Sequence, residues 1–118
     1  MPVVTIQALP PEESARVDEL LSQVVGVLAS ALETTPSNVW ANFSPMAQVR
    51  EGDSAHGQSG YHPIVTVLAN PRPDALIHAG LHAVAKAVAS GLEIPLERVW
   101  IHWVTLNPGQ VFADGAVK

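Results

Sequence analysis

A proline stands directly after the initiator methionine, at the head of the stretch Pro2-Val3-Val4-Thr5-Ile6-Gln7-Ala8-Leu9. Once Met1 is removed, Pro2 presents a free secondary amine. Such an amine takes a proton when neutral and gives one when charged, provided its surroundings bring its pKa near the working pH. An internal proline is an amide and has neither capacity. The histidines offer less. His78 and His82 have the four-residue spacing of a helical metal pair, but no glutamate follows His78 and no third ligand is evident, so both read as a solvated helix face. His56 and His62 fall in a Gly- and Ser-rich stretch, with no metal signature beyond residue type. His102 lies between Trp100 and Trp103 on an apolar strand, where a hydrogen-bonded structural role and a place in a pocket are both open. The chain has no cysteine, which excludes disulfides and thiolate chemistry, and no metal site is expected.

The stretch behind Pro2 occurs twice. A shift of 61 residues lays residues 2–10 on 63–71, with Pro2 on Pro63, Thr5 on Thr66, Ala8 on Ala69 and Pro10 on Pro71. After a one-residue slip the match continues at a shift of 60, where Leu21, Val24, Ala29, Leu32 and Trp40 find identical partners in Leu81, Val84, Ala89, Leu92 and Trp100. So long a match with so few gaps marks two copies of one unit. The organisation read from it is a single domain over 1–118, with repeat one at 2–46, a linker at 47–62, repeat two at 63–106 and a tail at 107–118.

Each unit has to position its proline with the same elements. Residues 3–9 alternate between Val4, Ile6, Ala8 and the mixed set Val3, Thr5, Gln7, the pattern of a strand with one apolar face. Pro10-Pro11 stops it. Glu12 and Glu13 carry the charge that a helix start favours, and Val17, Leu21, Val24, Leu28 and Ala31 recur at helical steps, which predicts a helix over 12–32 with a narrow polar face. Residues 39–43 read as the second strand. The region 48–62 is rich in Gly, Ser, Gln and charge, the composition of a solvated loop with room for a short hairpin. Repeat two follows suit, with a strand at 64–69, a turn at Asn70-Pro71-Arg72-Pro73, a helix opened by Asp74 with the stripe Ile77, Leu81, Val84, Val88 and Leu92, and a strand at 98–106. The tail carries turn signals at Pro108-Gly109 and Asp114-Gly115. Strand, crossover helix and strand make a parallel β-α-β unit. Two in tandem predict an α/β fold (α+β by some schemes) in which a four-stranded sheet carries both helices on one face, leaving the other face to a partner.

The composition agrees. With 47% hydrophobic and only 14% charged residues, some apolar surface is expected to meet another subunit of a closed homo-oligomer. A formal charge of −5, with the four arginines and two lysines scattered, supplies no basic stripe, so neither nucleic acid nor an anionic membrane is an expected partner. The N-terminus lacks the basic and apolar regions of a signal peptide, and no apolar run is expected to approach the ~20 residues of a membrane span, so the expected location is cytoplasmic.

A proline-led strand, a β-α-β unit and a second copy at this length together resemble the tautomerase superfamily, which includes oxalocrotonate tautomerase, macrophage migration inhibitory factor, malonate semialdehyde decarboxylase and the cis-chloroacrylic acid dehalogenases. Asn70-Pro71-Arg72 is similar to the decarboxylase turn in which two arginines flank a proline and bind the substrate carboxylate. Arg72 matches the second arginine and Asn70 stands at the first. Glu97-Arg98-Val99-Trp100-Ile101-His102-Trp103 resembles the final core strand of the inhibitory factor and the dehalogenases, where side chains at the positions of Trp100 and His102 point into the pocket beside the proline. The chain departs from its models as well: Pro11-Glu12 and Trp40 stand where oxalocrotonate tautomerase has arginines, and Asn38 aligns with the decarboxylase's aspartate.

The resemblance implies a cofactor-independent tautomerase that interconverts the keto and enol forms of a small anionic oxo or enol acid with the N-terminal proline as acid and base, in a homo-oligomer that is a trimer mimicking six-fold symmetry. It casts Pro2, Arg72 and His102 as catalytic, with Asn70, Trp100, Phe112 and Asn38 around the substrate and Phe112 covering the site from the tail. Hydratase, decarboxylase or dehalogenase chemistry on a three-carbon acid is the alternative within enzymes. A non-catalytic binding protein on the same scaffold is the alternative outside them.

Overall fold

Strand β1 (Val3–Ala8) forms where the alternation places it: Val4, Ile6 and Ala8 are fully buried, while Val3 and Thr5 are half-buried and Gln7 is exposed. A computed structural model of the chain, describing residues 1–55 and 60–118, continues it into helix α1 (Ala15–Ala31) and strand β2 (Trp40–Pro45). A two-stranded hairpin follows, β3 (Arg50–Glu51) with β4 (Ser54–Ala55). The second unit is β5 (Ile64–Ala69), α2 (Asp74–Leu92) and β6 (Trp100–Thr105), and a second hairpin, β7 (Phe112–Ala113) with β8 (Ala116–Val117), ends the chain.

The four long strands make one sheet in the order β2-β1-β5-β6, parallel within each unit and antiparallel where β1 meets β5. The antiparallel register sets Thr5 opposite Thr66. These are the residues that the repeat equates, so a pseudo-two-fold axis passes between them and carries one unit onto the other. Val65, Val67 and Ala69 are fully buried beside Val4, Ile6 and Ala8, and both helices cover this side of the sheet. Each Val or Ile buried there contributes about 1.5–3 kcal/mol.

The two helices also pack on each other, and small residues let them approach. A Cβ built on Gly91 would stand 2.6 Å from Leu20 Cδ1, and one on Gly80 would stand 3.1 Å from Leu28 Cδ1 and 3.3 Å from the Trp103 ring. Gly91→Ala is therefore expected to destabilise the fold by about 1–3 kcal/mol through overpacking. Urea unfolding would read this as a lowered midpoint at unchanged slope, and an unchanged midpoint would mean that Leu20 moves aside freely.

Several boundaries differ from expectation. Helix α1 begins at Ala15 rather than 12, because Glu12 and Glu13 form a bend and the first turn is closed by Arg16 N–H to Glu13 O and Val17 N–H to Ser14 O, both 3.1 Å. Its buried stripe is Leu20, Val24, Leu28 and Ala29, with Leu21 and Ala31 only half-buried, and that of α2 is Gly80, Val84 and Ala87–Ala89, with Ile77, Leu81 and Leu92 half-buried. In both helices the packed face is shared between the sheet and the other helix, which turns it away from the strongest hydrophobic stripe. Strands β2 and β6 start one to two residues later than read, because the 3-10 turns Pro36–Asn38 and Leu96–Arg98 intervene. Helix α2 is also long and apolar enough, by composition, to cross a membrane, so the expectation that no run approaches that length does not hold. Here its apolar residues face β6 and α1.

Within the linker, Tyr61 is buried at 1% exposure and its hydroxyl accepts the Leu9 N–H at 3.1 Å, tying the end of β1 to the start of the second unit. Tyr61→Phe keeps the ring and leaves that N–H unpaired, at an expected cost of about 1–3 kcal/mol. Burial raises the Tyr61 pKa above its ordinary value. The neutral phenol's contribution is therefore whole below about pH 10 and is lost as pH rises through the higher folded value. Thermal melts above pH 10 are expected to fall more steeply for the native chain than for Tyr61→Phe, and parallel slopes would contradict it.

Candidate active site

Four strand ends lie side by side where β1 begins, the starts of β1 and β2 and the ends of β5 and β6. Strand β5 runs antiparallel with Val3 opposite Leu68, so Pro2 comes level with Ala69, and the turn Asn70-Pro71-Arg72 follows at once. On the other flank, Trp40 N–H donates to the Pro2 carbonyl at 2.9 Å, which brings in the 3-10 turn Pro36–Asn38. Pro2 itself is among the fully buried side chains, and Met1, which precedes it here and makes its nitrogen an amide, is 42% exposed. Removing Met1 thus uncovers an amine at a buried ring. Burial disfavours the charged form of an amine.

Arg72 is half-buried, and its Nη1 donates to the Asn70 carbonyl at 3.2 Å, so the two residues of the turn hold each other. A guanidinium keeps further donors for a carboxylate when one is used in this way. Asn38 is exposed and its Nδ2 donates to Thr34 Oγ1 at 3.1 Å, a bond that does not use its amide oxygen, which can accept. Strand β6 also finishes at this end, with Leu106 N–H on Ala69 O at 2.8 Å, and the chain then turns into the tail hairpin. Phe112 stands on that hairpin 73% exposed, without cover from its own chain.

Trp100 and His102 lie elsewhere in the single chain. Trp100 pairs with Ile64, which pairs with Gln7, so it sits about 16 Å along the strands from Pro2 and two strands across. His102 occupies the middle row with Thr66 and Thr5. Both project on the sheet face that the helices leave open, with ring centroids 5.7 Å apart at 59°. The aromatic that adjoins Pro2 in its own chain is Trp40, 54% exposed on the same open face. Two signals pointed toward it, the pairing of Trp40 with Trp100 in the repeat and its place at a position where oxalocrotonate tautomerase has an arginine. His78 and His82 line a cleft of about 310 Å³ with Leu81, Ala85, Leu96 and Ile101, and no cluster of metal-ligating residues occurs among the described residues. His56 lies outside the described residues.

A proline-headed strand within two antiparallel β-α-β units, open on one sheet face, is a known arrangement. No family model and no curated protein matches the sequence. Solved structures do. A fused 4-OT described as an asymmetric trimer superposes with a TM-score of 0.88 at 14% identity, covering 98% of this chain and 94% of that one. The macrophage migration inhibitory factor of Toxoplasma gondii gives 0.76 at 18% identity, covering 98% and 99%. A malonate semialdehyde decarboxylase, described with decarboxylase and hydratase activities, gives 0.74 at 17% identity over 96% and 92%. The chain has the fold of the tautomerase superfamily.

Proposed function

We propose that this chain is a cytoplasmic, cofactor-independent tautomerase that interconverts the keto and enol forms of a small anionic oxo acid. The observation that carries the reading is the burial of Pro2 at a strand head, directly beside the Asn70–Arg72 turn of the antiparallel neighbour. Freed of Met1, the neutral Pro2 amine takes a proton from the carbon next to the carbonyl, electrons shift to the oxygen, and the ammonium returns the proton at another position. Arg72 holds the carboxylate as a planar fork, with Asn70 and Asn38 offering further hydrogen bonds.

Trp100 and His102 enter this scheme from a neighbouring subunit. The open sheet face exposes Trp40 and Trp100 at 54% each and Ile64 at 39%, which favours a homotrimer closed over that face. In it a second chain's Trp100 walls the pocket, its His102 polarises the carbonyl oxygen, and Phe112 covers the entrance.

Two measurements on one purified sample test the proposal: the intact mass, and an ultraviolet assay of ketonisation with a 2-hydroxy-dienoate and an enol of phenylpyruvate. Loss of the methionine together with saturable ketonisation is the expected result. Retained methionine would make the Pro2 nitrogen an amide and leave a non-catalytic binding protein as the better reading. The likeness of the Asn70-Pro71-Arg72 turn favours one further chemistry, hydration or decarboxylation of a three-carbon acid with Pro2 kept protonated. Turnover of such an acid without ketonisation would select it.

A further inference from the structure

On the open sheet face the strand register sets side chains in rows that cross all four strands. The row at the Pro2 end is Trp40, Val3, Leu68 and Val104. Its counterpart under the pseudo-two-fold axis, at the Pro63 end, is Trp100, Ile64, Gln7 and Ser44. Both rows hold a tryptophan and a β-branched residue and then diverge: where the Pro63 end has an amide and a hydroxyl, the Pro2 end has a leucine and a valine. The row beside Pro2 is apolar throughout. It also adjoins the proline directly, since Trp40 donates its N–H to the Pro2 carbonyl at 2.9 Å and Val3, the next residue, pairs with Leu68. Trp40 is 54% exposed, which leaves its ring open to a ligand, whereas Val3, Leu68 and Val104 are half-buried. Cations are sparse here. Arg72 follows β5 at this end, while Arg98 lies in the 3-10 turn before β6 and Arg50 on the hairpin tied to His62, both toward Pro63.

We propose that Trp40 sets the specificity of this site, which takes a 2-oxo acid with one carboxylate and a planar apolar group at its far end in preference to a diacid. Arg72 holds the carboxylate next to the reacting carbonyl, and the far group lies on the indole and the row behind it. A phenyl ring placed there gains ring contact in addition to the area it buries. A second carboxylate placed there gives up its water with only the indole N–H to replace it, which is unfavourable. The pseudo-symmetric row shows that the fold accommodates polar groups at these positions, so Leu68 and Val104 are not imposed by the sheet itself.

The role of Pro2 and Arg72 at the reacting end rests on the function proposed above, and the test keeps the two apart. Its probes are pairs that differ only in a phenyl ring exchanged for a carboxylate: the enols of phenylpyruvate and oxaloacetate for turnover, and trans-cinnamate and fumarate for binding by calorimetry. The native chain is compared with Trp40→Phe, which keeps a ring, Trp40→Leu, which keeps apolar bulk alone, and Trp40→Arg. Unfolding midpoints and solution mass establish that each is folded and assembled as the native chain is. The expected result is a kcat/KM about tenfold or more higher for phenylpyruvate, with cinnamate bound more tightly than fumarate. Trp40→Leu reduces both preferences about three- to tenfold, Trp40→Phe retains most of them, and Trp40→Arg raises fumarate affinity about tenfold. Ketonisation indifferent to the phenyl ring, or a phenyl preference unaltered in Trp40→Leu, overturns the specificity and leaves the proposed function standing. A fumarate preference that is lost in Arg98→Gln overturns it too, because a second chain's arginine then meets the far carboxylate. Cinnamate binding that depends on Trp40, in a protein that ketonises neither enol, upholds the selectivity and removes the proposed function. Neither binding nor turnover of any probe overturns both.

Discussion

Pro2→Ala is expected to slow enol ketonisation by about 10²–10⁴-fold, the usual worth of a positioned acid-base group. Alanine at the same place still leaves an amine after processing, so the loss measures a secondary amine held by its ring against a primary one free to rotate. The fold should tolerate the exchange. The Trp40 N–H bonds to the backbone carbonyl of residue 2, and that carbonyl survives any side-chain change. Unfolding midpoints within about 1 kcal/mol of the native chain would separate a chemical defect from a structural one, because losing part of one buried side chain costs little more than that. The pH profile gives an independent reading. A buried amine titrates below an exposed one, so kcat/KM should rise with pH through a value lower than the ordinary amine range. Activity that survives Pro2→Ala with an unaltered profile would take the amine out of the mechanism.

Arg72→Ala is expected to lower kcat/KM by about ten- to hundredfold, mostly through KM, since a charge-assisted hydrogen bond contributes about 1.5–3 kcal/mol. Arg72 sits on a turn, half-buried, and its one internal bond is to a carbonyl two residues away, so the variant should fold as the native chain does. Arg72→Lys keeps the charge and gives up the fork, and partial recovery is expected from it. A substrate analogue without its carboxylate should bind native protein and Arg72→Ala equally. If Arg72→Ala instead lowers kcat at unchanged KM, the arginine acts on the reacting group and the carboxylate has another partner.

How much of this was legible in the residues differs from element to element. The alternation of residues 3–9 and 64–69 and the internal repeat led to the right strands, helices and sheet, because burial on one face imposes a period that a single chain displays openly. Helix faces were read less well. The stripe through Leu21 and Leu81 is the most apolar by pattern, yet Leu20 and Gly80 are the buried residues, since the faces are shared between a sheet and a neighbouring helix. Tyr61 gave no signal, being one aromatic in a polar linker whose partner, Leu9, lies 52 residues away. The tail hairpin was marked only by its turn, Asp114-Gly115, where both residues adopt positive φ.

The sequence by itself determined that two β-α-β units follow one another, that a proline heads each, and that the second of these, Pro63, is an internal amide. It also sufficed to single out Arg72 and Asn70. The tertiary structure decided which of these meet. Antiparallel pairing of β1 with β5 brings the Asn70–Arg72 turn to Pro2, and parallel pairing of β5 with β6 carries Trp100 to Pro63. The physical reason lies in the range of the interactions. Alternation and turn chemistry act over a few residues and are written locally, whereas the direction and register of strands some sixty residues apart follow from burying both units' apolar faces under one pair of helices.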